Sequence, residues 1–409
     1  MSNKIRQKQK FSTTRSNTIC AVVCEYNPLH NGHIYQLQKA RELSGCDAIM
    51  CVMSGNFVQR AEPAILDKYA RAELAVKHGA DIVIELPAVF ATSTSDNFAH
   101  GAIAMLAGIQ AVTHLSFGCE ADNPDDIIEA ADILPRPDFV PYFRRYIDSG
   151  ISYASAVSAA YKNYTGRKTD ILDAPNNMLA LHYIAAINKL GANIKPVPVK
   201  RTGCNHNDLN LSGGEFSSAT AIRKIISQDT GAQCAPLQNA MPPDVLSVIQ
   251  NTRHFPSQVK YDAIATHVLR NIPSEYAAQL QDVSEGLHNK LLKSAQTHNT
   301  VEQIITATKS KRYTHSRIAR IILNAVLGIS RDIHTAALDA PPYYRVLAIK
   351  KESADILAAL PEPTIIKNSD FKKLVTHPAI DIDTAACNLY TNLTGSSCGG
   401  LYSNANLLL

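Results

Sequence analysis

Two histidines three residues apart, His30 and His33, lie in EYNPLHNGHIYQLQKA (25–40), just after an apolar run and at the start of a helical pattern. With Asn31 and Gly32 opening that helix, both imidazoles face one side of it. Two donors aimed at a phosphate chain serve nucleotidyl transfer, in which charge builds on the bridging oxygen as pyrophosphate leaves; each well-aimed donor lowers such a barrier by about 2.7–4 kcal/mol. Gly32, having no side chain, lets a base or ribose lie against the helix. A second element, SSATAIR (217–223), puts Ser217, Ser218 and Thr220 in a first helical turn, with Arg223 as a fixed cationic fork. It reads as a clamp for the β- and γ-phosphates. Alone, the first motif is also what two surface histidines in a turn look like, and the second what a capped helix with a solvated arginine looks like. Together they are far more specific.

The frame that must hold these residues is legible in the apolar runs. ICAVVCEY (19–26), DAIMCVMSG (47–55), DIVIELP (81–87) and AVTHLSFG (111–118) read as strands buried on both faces. Helical spacing fills the stretches near 32–44, 63–78 and 96–107, which end in Gly45, Gly79 and Gly108 as candidate C-terminal caps. NIKPVPVKR (193–201) reads as one more strand, whose prolines favour a sheet edge or a strand end. A polar loop, 203–214, then leads to the SSATAIR helix, capped by Ser217 or Ser218. Residues 229–243 form the candidate linker, and 243–409 are mostly helical with Pro-marked interruptions. The expected fold is therefore α/β: a Rossmann-like parallel-sheet nucleotidyltransferase domain (18–230), followed by a mainly α-helical C-terminal domain (231–409).

A chain of 409 residues exceeds what one core usually organises, which makes two domains the natural expectation. The formal charge of +4 is too small to argue for nucleic acid by itself, so local clusters must carry that case. The first 17 residues are basic without the apolar stretch of a secretory signal, and read as a disordered tail. No run approaches the roughly 18 apolar residues of a membrane span. The cysteines, Cys20, Cys24, Cys46, Cys51, Cys119, Cys204, Cys234, Cys387 and Cys398, include no Cys-x-x-Cys pair and no clustered ligand spacing, so reduced thiols in a cytoplasmic protein and no dedicated metal site are expected.

One cluster stands out in the C-terminal half. KSKRYTHSRIAR (309–320) carries Lys309, Lys311, Arg312, Arg317 and Arg320, with Tyr313 and His315 among them and no acid. Such a run can neutralise phosphates while an aromatic ring stacks on an unpaired base. Arg317 and Arg320 share a helical face, and Ile318, Ile321 and Ile322 can face a core.

The pairing of the two phosphate elements resembles the nucleotidyltransferase superfamily, whose HxGH and ISSTxIR elements grip ATP. More narrowly, the chain is similar to the bacterial tRNA(Met) cytidine acetate ligases. The resemblance rests on EYNPLHNGH (25–33), MSGNFVQRAEPAI (53–65), KYARAELAVKHGADIVIELP (68–87), FGCE (117–120), PNNMLALHYIAAI (175–187), VKRTG (199–203) and SSATAIR. It continues more thinly through EGLHNKL (285–291), TKSKRYTHSRIAR (308–320) and YYRVLAI (343–349).

The resemblance implies that acetate is activated by ATP as acetyladenylate and passed to N4 of the wobble cytidine of elongator tRNA(Met), giving N4-acetylcytidine. It maps the ATP loop onto Val23, Cys24, Glu25, Tyr26, Asn27, Pro28, Leu29, His30, Asn31, Gly32, His33, Ile34, Tyr35 and Gln36. Further nucleotide contacts fall on Gly118, Asn176, Arg201, Ser218, Thr220 and Arg223. His30, His33 and Arg223 carry the chemistry, and the basic run becomes the RNA contact. ATP is expected with magnesium, held mainly by phosphate oxygens; no stable protein partner is expected. The family segment commonly reads VQRGEPA, and here Ala61 replaces its glycine; if that backbone requires positive φ, the loop is strained. Ser54, Asn56, Gln59 and Arg60 fall near the expected substrate mouth without separate roles. Two rivals remain: a transferase joining a nucleotide to a phosphorylated metabolite, and a noncatalytic RNA-binding protein on the same fold.

Overall fold

Five apolar runs become the parallel part of one sheet: β1 (Ile19–Cys24), β2 (Ala48–Ser54), β3 (Ile82–Leu86), β4 (Val112–Cys119) and β5 (Lys195–Lys200). The computed structural model describes residues 18–121, 123–167, 169–201, 218–228, 237–367, 369–371 and 376–396. The N-terminal tail, the 203–214 loop, Ser217, most of the 229–243 linker, Cys204, Cys234, Cys398 and the C-terminal residues lie outside these. Two further strands, β6 (Tyr344–Ile349) and β7 (Thr364–Ile365), complete the order β5-β4-β1-β2-β3-β6-β7. The fold is α/β, dominated by the parallel sheet and rich in helices.

Alternation along the central strands sorts side chains into two apolar clusters. Ile19, Ala21, Met50 and Val52 enter one; Cys20, Val22, Cys24, Ile49, Cys51 and Met53 enter the other. Both faces are covered, which is why the runs read as continuous rather than alternating. Pro196 and Pro198 lie in β5 at the sheet edge, where a missing N–H leaves no gap in a ladder.

Helices α1 (Asn31–Ser44), α2 (Lys68–Lys77), α3 (Ser95–Ala107), α4 (Pro175–Leu190), α5 (Ala219–Gln228), α6 (His315–Leu327) and α7 (Pro378–Thr394) bear on the site or its supports. α1 ends at Gly45 in the left-handed region (φ 63°), as expected of a C-terminal cap. Gly108 does not cap that way: its φ is −72°, and its missing side chain instead leaves room for the Tyr344 hydroxyl, which donates to the Met105 carbonyl at 3.0 Å. The helix expected from residue 63 begins at Lys68, because Asp67 accepts from the N–H groups of Tyr69 (2.8 Å) and Ala70 (3.0 Å) and so sets its first turn. The residues before it fold back as a loop in which Val58 N–H donates to the Glu62 carbonyl at 3.0 Å.

β6 is the element that sequence patterning missed in a region read as helical. It runs antiparallel to β3, pairing Ile82 with Ile349 and Val83 with Ala348, and covers what would otherwise be an open edge. Its Arg345 is buried and shares the Glu85 carboxylate with Lys68 of α2: Lys68 Nζ stands 2.7 Å from Glu85 Oε1, and Arg345 stands 3.4 Å from Oε2. Burial alone would push the Glu85 pKa up; the two cations win and hold it below the ordinary carboxylate value. Lys68 Nζ also reaches Cys387 Sγ of α7 at 3.4 Å, so this buried network ties both halves of the chain together.

Candidate nucleotide site at the carboxyl ends of β1 and β2

The chain leaves β1 through Tyr26, whose φ of 46° turns it sharply, and enters α1 at His30. His30 is the N-cap: its Nδ1 accepts from Gly32 N–H at 3.1 Å, while His33 Nδ1 accepts from His30 N–H at 3.3 Å. This reciprocal pair is a capping box built from two imidazoles. The rings stack with centroids 3.7 Å apart, and the Tyr26 ring lies 4.9 Å from that of His33.

Those bonds decide the tautomer. A nitrogen that accepts a backbone N–H carries no proton, so each neutral imidazole keeps its hydrogen on Nε2 and presents it as a donor. Both rings are neutral, since burial, then the cations Arg201 and Arg223, pushes the His30 pKa down to about 3. His33 is also pushed well down, by burial first and then by His30 and Arg201. The first-turn amides of α1 are occupied: Asn31 N–H donates to the Ala240 carbonyl at 3.0 Å, and those of His33 and Ile34 donate to the His30 carbonyl. What α1 offers a ligand is therefore two Nε2–H groups rather than a ring of bare amides.

α5 comes to the same place. Ser218 caps it, its Oγ accepting from Ala221 N–H at 3.1 Å. Of the two serines considered for this cap, Ser218 is the one described. Arg223 donates to the Asn27 carbonyl at 3.0 Å and stands 3.6 Å from the Glu62 carboxylate; its guanidinium also lies near Thr220 Oγ1. The late helix and the first loop, nearly 200 residues apart in sequence, are thus in direct contact.

The remaining expected nucleotide contacts lie on the β4–β5 side. Gly118 pairs with Val199, and a side chain on it would touch that of Arg201, 3.4 Å from its Cγ. Arg201 is exposed and follows β5, its N–H bonded to the Cys119 carbonyl at 2.9 Å. Asn176 lies in the first turn of α4 with its amide donating to Glu120, which leaves the amide oxygen as its remaining acceptor. Its neighbour Asn177, which sequence reasoning passed over, accepts from Glu120 N–H at 2.7 Å and so locks α4 onto the end of β4.

Two supports were hidden in quoted motifs. Arg71, in KYARAEL, is fully buried and donates to the carbonyls of Leu66 (3.0 Å), Glu25 (2.5 Å), Ser54 (3.1 Å) and Gly55, pinning the ends of β1 and β2 together. Glu25, half-buried, accepts Gln59 N–H at 2.9 Å, anchoring the 56–64 loop to the first strand. Ala61, in that loop, has φ 63°, so the position does ask for the glycine that this chain lacks. Among the described residues, no group of three or more His, Cys, Asp or Glu side chains stands close enough to hold a metal ion.

The basic run takes a different form. Arg317 donates to the Asp282 carbonyl (2.8 Å) and Ser284 Oγ (2.9 Å), Arg320 pairs with the Asp282 carboxylate at 2.9 Å, and Arg312 and Tyr313 both hold Glu285. All four side chains bind the 281–286 loop, where Asp282 and Glu285 have φ of 70° and 52°. Lys309 and Lys311 are exposed. Ile318, Ile321 and Ile322 face the core as expected.

The family model described as HIGH Nucleotidyl Transferase matches residues 17–400. The tRNA(Met) cytidine acetate ligase of Thermoanaerobacter sp. (strain X514) is 38% identical over 400 residues, covering 94% of this chain and 97% of that protein. The tRNA(Met) cytidine acetate ligase of Clostridium tetani is 36% identical over 383 residues, covering 90% and 94%. The crystal structure of Thermotoga maritima TmcAL bound with alpha-thio ATP superposes with a TM-score of 0.86 at 29% identity, covering 96% of this chain and 99% of that one.

Proposed function

The chain belongs to the HIGH nucleotidyl transferase family and, within it, to the tRNA(Met) cytidine acetate ligases, and from that premise we propose how its own residues divide the work. The protein is an ATP-dependent tRNA-modifying ligase. Its small acid is acetate, and its acceptor is N4 of the wobble cytidine in elongator tRNA(Met).

In the first half-reaction an acetate oxygen bonds to the α-phosphorus of ATP and pyrophosphate leaves, giving acetyladenylate. The Nε2–H groups of His30 and His33 donate to the phosphate oxygens on which charge builds, and they do so as neutral donors. Arg223 supplies the positive charge on the β,γ side, with Ser218 and Thr220 opening the helix that carries it. Gly118 and Asn176 line the nucleoside side, and Arg201, whose charge reaches both imidazoles, neutralises phosphate. Magnesium, expected with ATP, would draw its ligands chiefly from phosphate oxygens. In the second half-reaction the cytidine amine attacks the acetyl carbonyl and AMP leaves; the base must first leave any stack to arrive there. Lys309 and Lys311 are the RNA contacts left by the basic run. A tRNA substrate and buried, unpaired cysteines at six described positions support a cytoplasmic setting.

The observation that carries this reading is the meeting of Arg223 with the first loop at Asn27, three residues ahead of His30 and six ahead of His33, whose Nε2–H groups remain to donate. The test is incubation with ATP, labelled acetate and purified elongator tRNA(Met), followed by nucleoside mass analysis. N4-acetylcytidine at the wobble position is the expected product. Pyrophosphate exchange that ignores acetate and responds to a phosphorylated metabolite would instead favour the small-molecule transferase.

A further inference from the structure

Residues 23–36 contain a single acid, Glu25, in a loop expected to meet a triphosphate. A carboxylate beside phosphates is repulsive, so Glu25 needs another reason to be there. Part of that reason is structural: Oε1 accepts Gln59 N–H at 2.9 Å. Its second oxygen, Oε2, has no hydrogen-bond partner among the described residues.

Register places that oxygen. Cys24 pairs with Met53 across β1 and β2, and both enter one apolar cluster. Glu25 and Ser54 are the residues that follow this last pair. One nitrogen of Arg71 bonds both their carbonyls, which fixes the two residues side by side. Ser54 Oγ is buried without a partner, as is Asn27 Nδ2 two residues beyond Glu25. The next residue, Tyr26, packs its ring against His33. The free carboxylate oxygen therefore belongs to the carboxyl ends of β1 and β2, one residue before the tyrosine that packs against His33, and within electrostatic reach of Arg223, which also acts on His30.

We infer that Glu25 is a catalytic residue of the transfer half-reaction: its free oxygen accepts a hydrogen of the cytidine N4 amine, selects cytidine over uridine, and takes the proton as the amide forms. This rests on the function proposed above. In the step, N4 bonds to the acetyl carbon, the bond from that carbon to the phosphate oxygen breaks, AMP leaves with the electron pair, and the N4 proton passes to Glu25. Uridine presents a carbonyl oxygen where cytidine presents N4–H, so the same carboxylate would repel it. Burial raises the Glu25 pKa above its ordinary value, opposed by Gln59 N–H and the charges of Arg223, Arg60 and Arg71, with the Tyr183 hydroxyl also in electrostatic reach. A raised pKa makes the carboxylate a better base.

The experiment measures the two half-reactions separately: acetate-dependent ATP–pyrophosphate exchange, and single-turnover transfer from preformed acetyladenylate to tRNA. Glu25→Gln keeps an acceptor for Gln59 N–H but cannot take a proton. Transfer should fall about 100-fold or more relative to exchange, and the acidic limb of the wild-type transfer pH profile should vanish. Glu25→Asp, a shortened base, should transfer slowly while keeping that limb. Equal losses in both half-reactions, or undiminished transfer, would overturn the role of Glu25 while leaving the ligase reading intact. A wild-type protein that forms no N4-acetylcytidine would overturn both.

Discussion

The sequence marks two cationic or donor-rich regions with equal clarity, and the structure uses them in opposite ways. Around α1 and α5 the capping bonds consume Nδ1 of both imidazoles and leave Nε2–H to donate. In 309–320 the three arginines and the tyrosine are committed to the 281–286 loop, while the two lysines stand outward and His315 meets Glu302. Charge density along a chain is thus a poor guide to available charge. What matters is whether a partner elsewhere in the fold has already been satisfied.

Replacing His33 with Ala is the harshest way to probe this contrast. Loss of one Nε2 donor should lower acetyladenylate formation by about 100- to 1,000-fold, read by acetate-dependent pyrophosphate exchange, with tRNA affinity little changed. Unaltered exchange would place the imidazoles outside the chemistry and erase the distinction between the two regions.

On the other side of the comparison, Arg320→Ala leaves the largely covered Asp282 carboxylate without its ion pair, at a cost of about 3 kcal/mol in chemical denaturation. Adenylation should survive in whatever remains folded. Lys309→Ala with Lys311→Ala should leave stability untouched but weaken tRNA binding and reduce its salt dependence by about one unit of slope per lost phosphate contact. Were Arg320→Ala to cost tRNA affinity without stability, the arginines would belong with the RNA surface after all.

A pH series sharpens the same point more gently. The His30 pKa in the folded chain, about 3, lies below the ordinary value of 6.5. Between those limits the unfolded chain binds more protons, so stability falls as pH drops from about 6.5 toward 3. Bound ATP places negative charge beside the rings and raises their pKa above the value in the free protein, so ATP should bind tighter as pH falls through that raised value and flatten the slope. Thermal melts with and without ATP at pH 5 and pH 8 measure both; an ATP stabilisation independent of pH would separate the imidazoles from the phosphates.

The smallest effect concerns the 56–64 loop. Ala61→Gly relieves a left-handed residue and should stabilise the protein by about 1 kcal/mol. Because Gln59 and Glu62 of the same loop hold Glu25 and Arg223, a change in transfer rate without a change in stability would show that the strained backbone tunes the site instead.

Much of the fold was readable because parallel strands buried on both faces leave continuous Val, Ile and Leu runs, as in 19–26 and 81–87. The site was readable where its members are local: His30, Gly32 and His33 are set by one loop and one helix start. β6 was missed because Arg345 interrupts an apolar hexamer, and a charged residue reads as solvent-facing until its partner is known.

By itself, then, the amino-acid sequence determined the first five strands and the helices between them, the HNGH loop and the capped helix bearing Arg223, all of them consequences of side-chain periodicity and near-neighbour hydrogen bonds. Only the tertiary structure decided which charges are spent. Glu85 collects Lys68 from the next helix back and Arg345 from far along the chain, Asp282 takes Arg320, and among the described residues Glu25 is left with one oxygen to offer. Local pattern records which side of an element faces inward, but an ion pair is formed by whichever group the fold brings within about 4 Å, and that distance is not written in the spacing of neighbours.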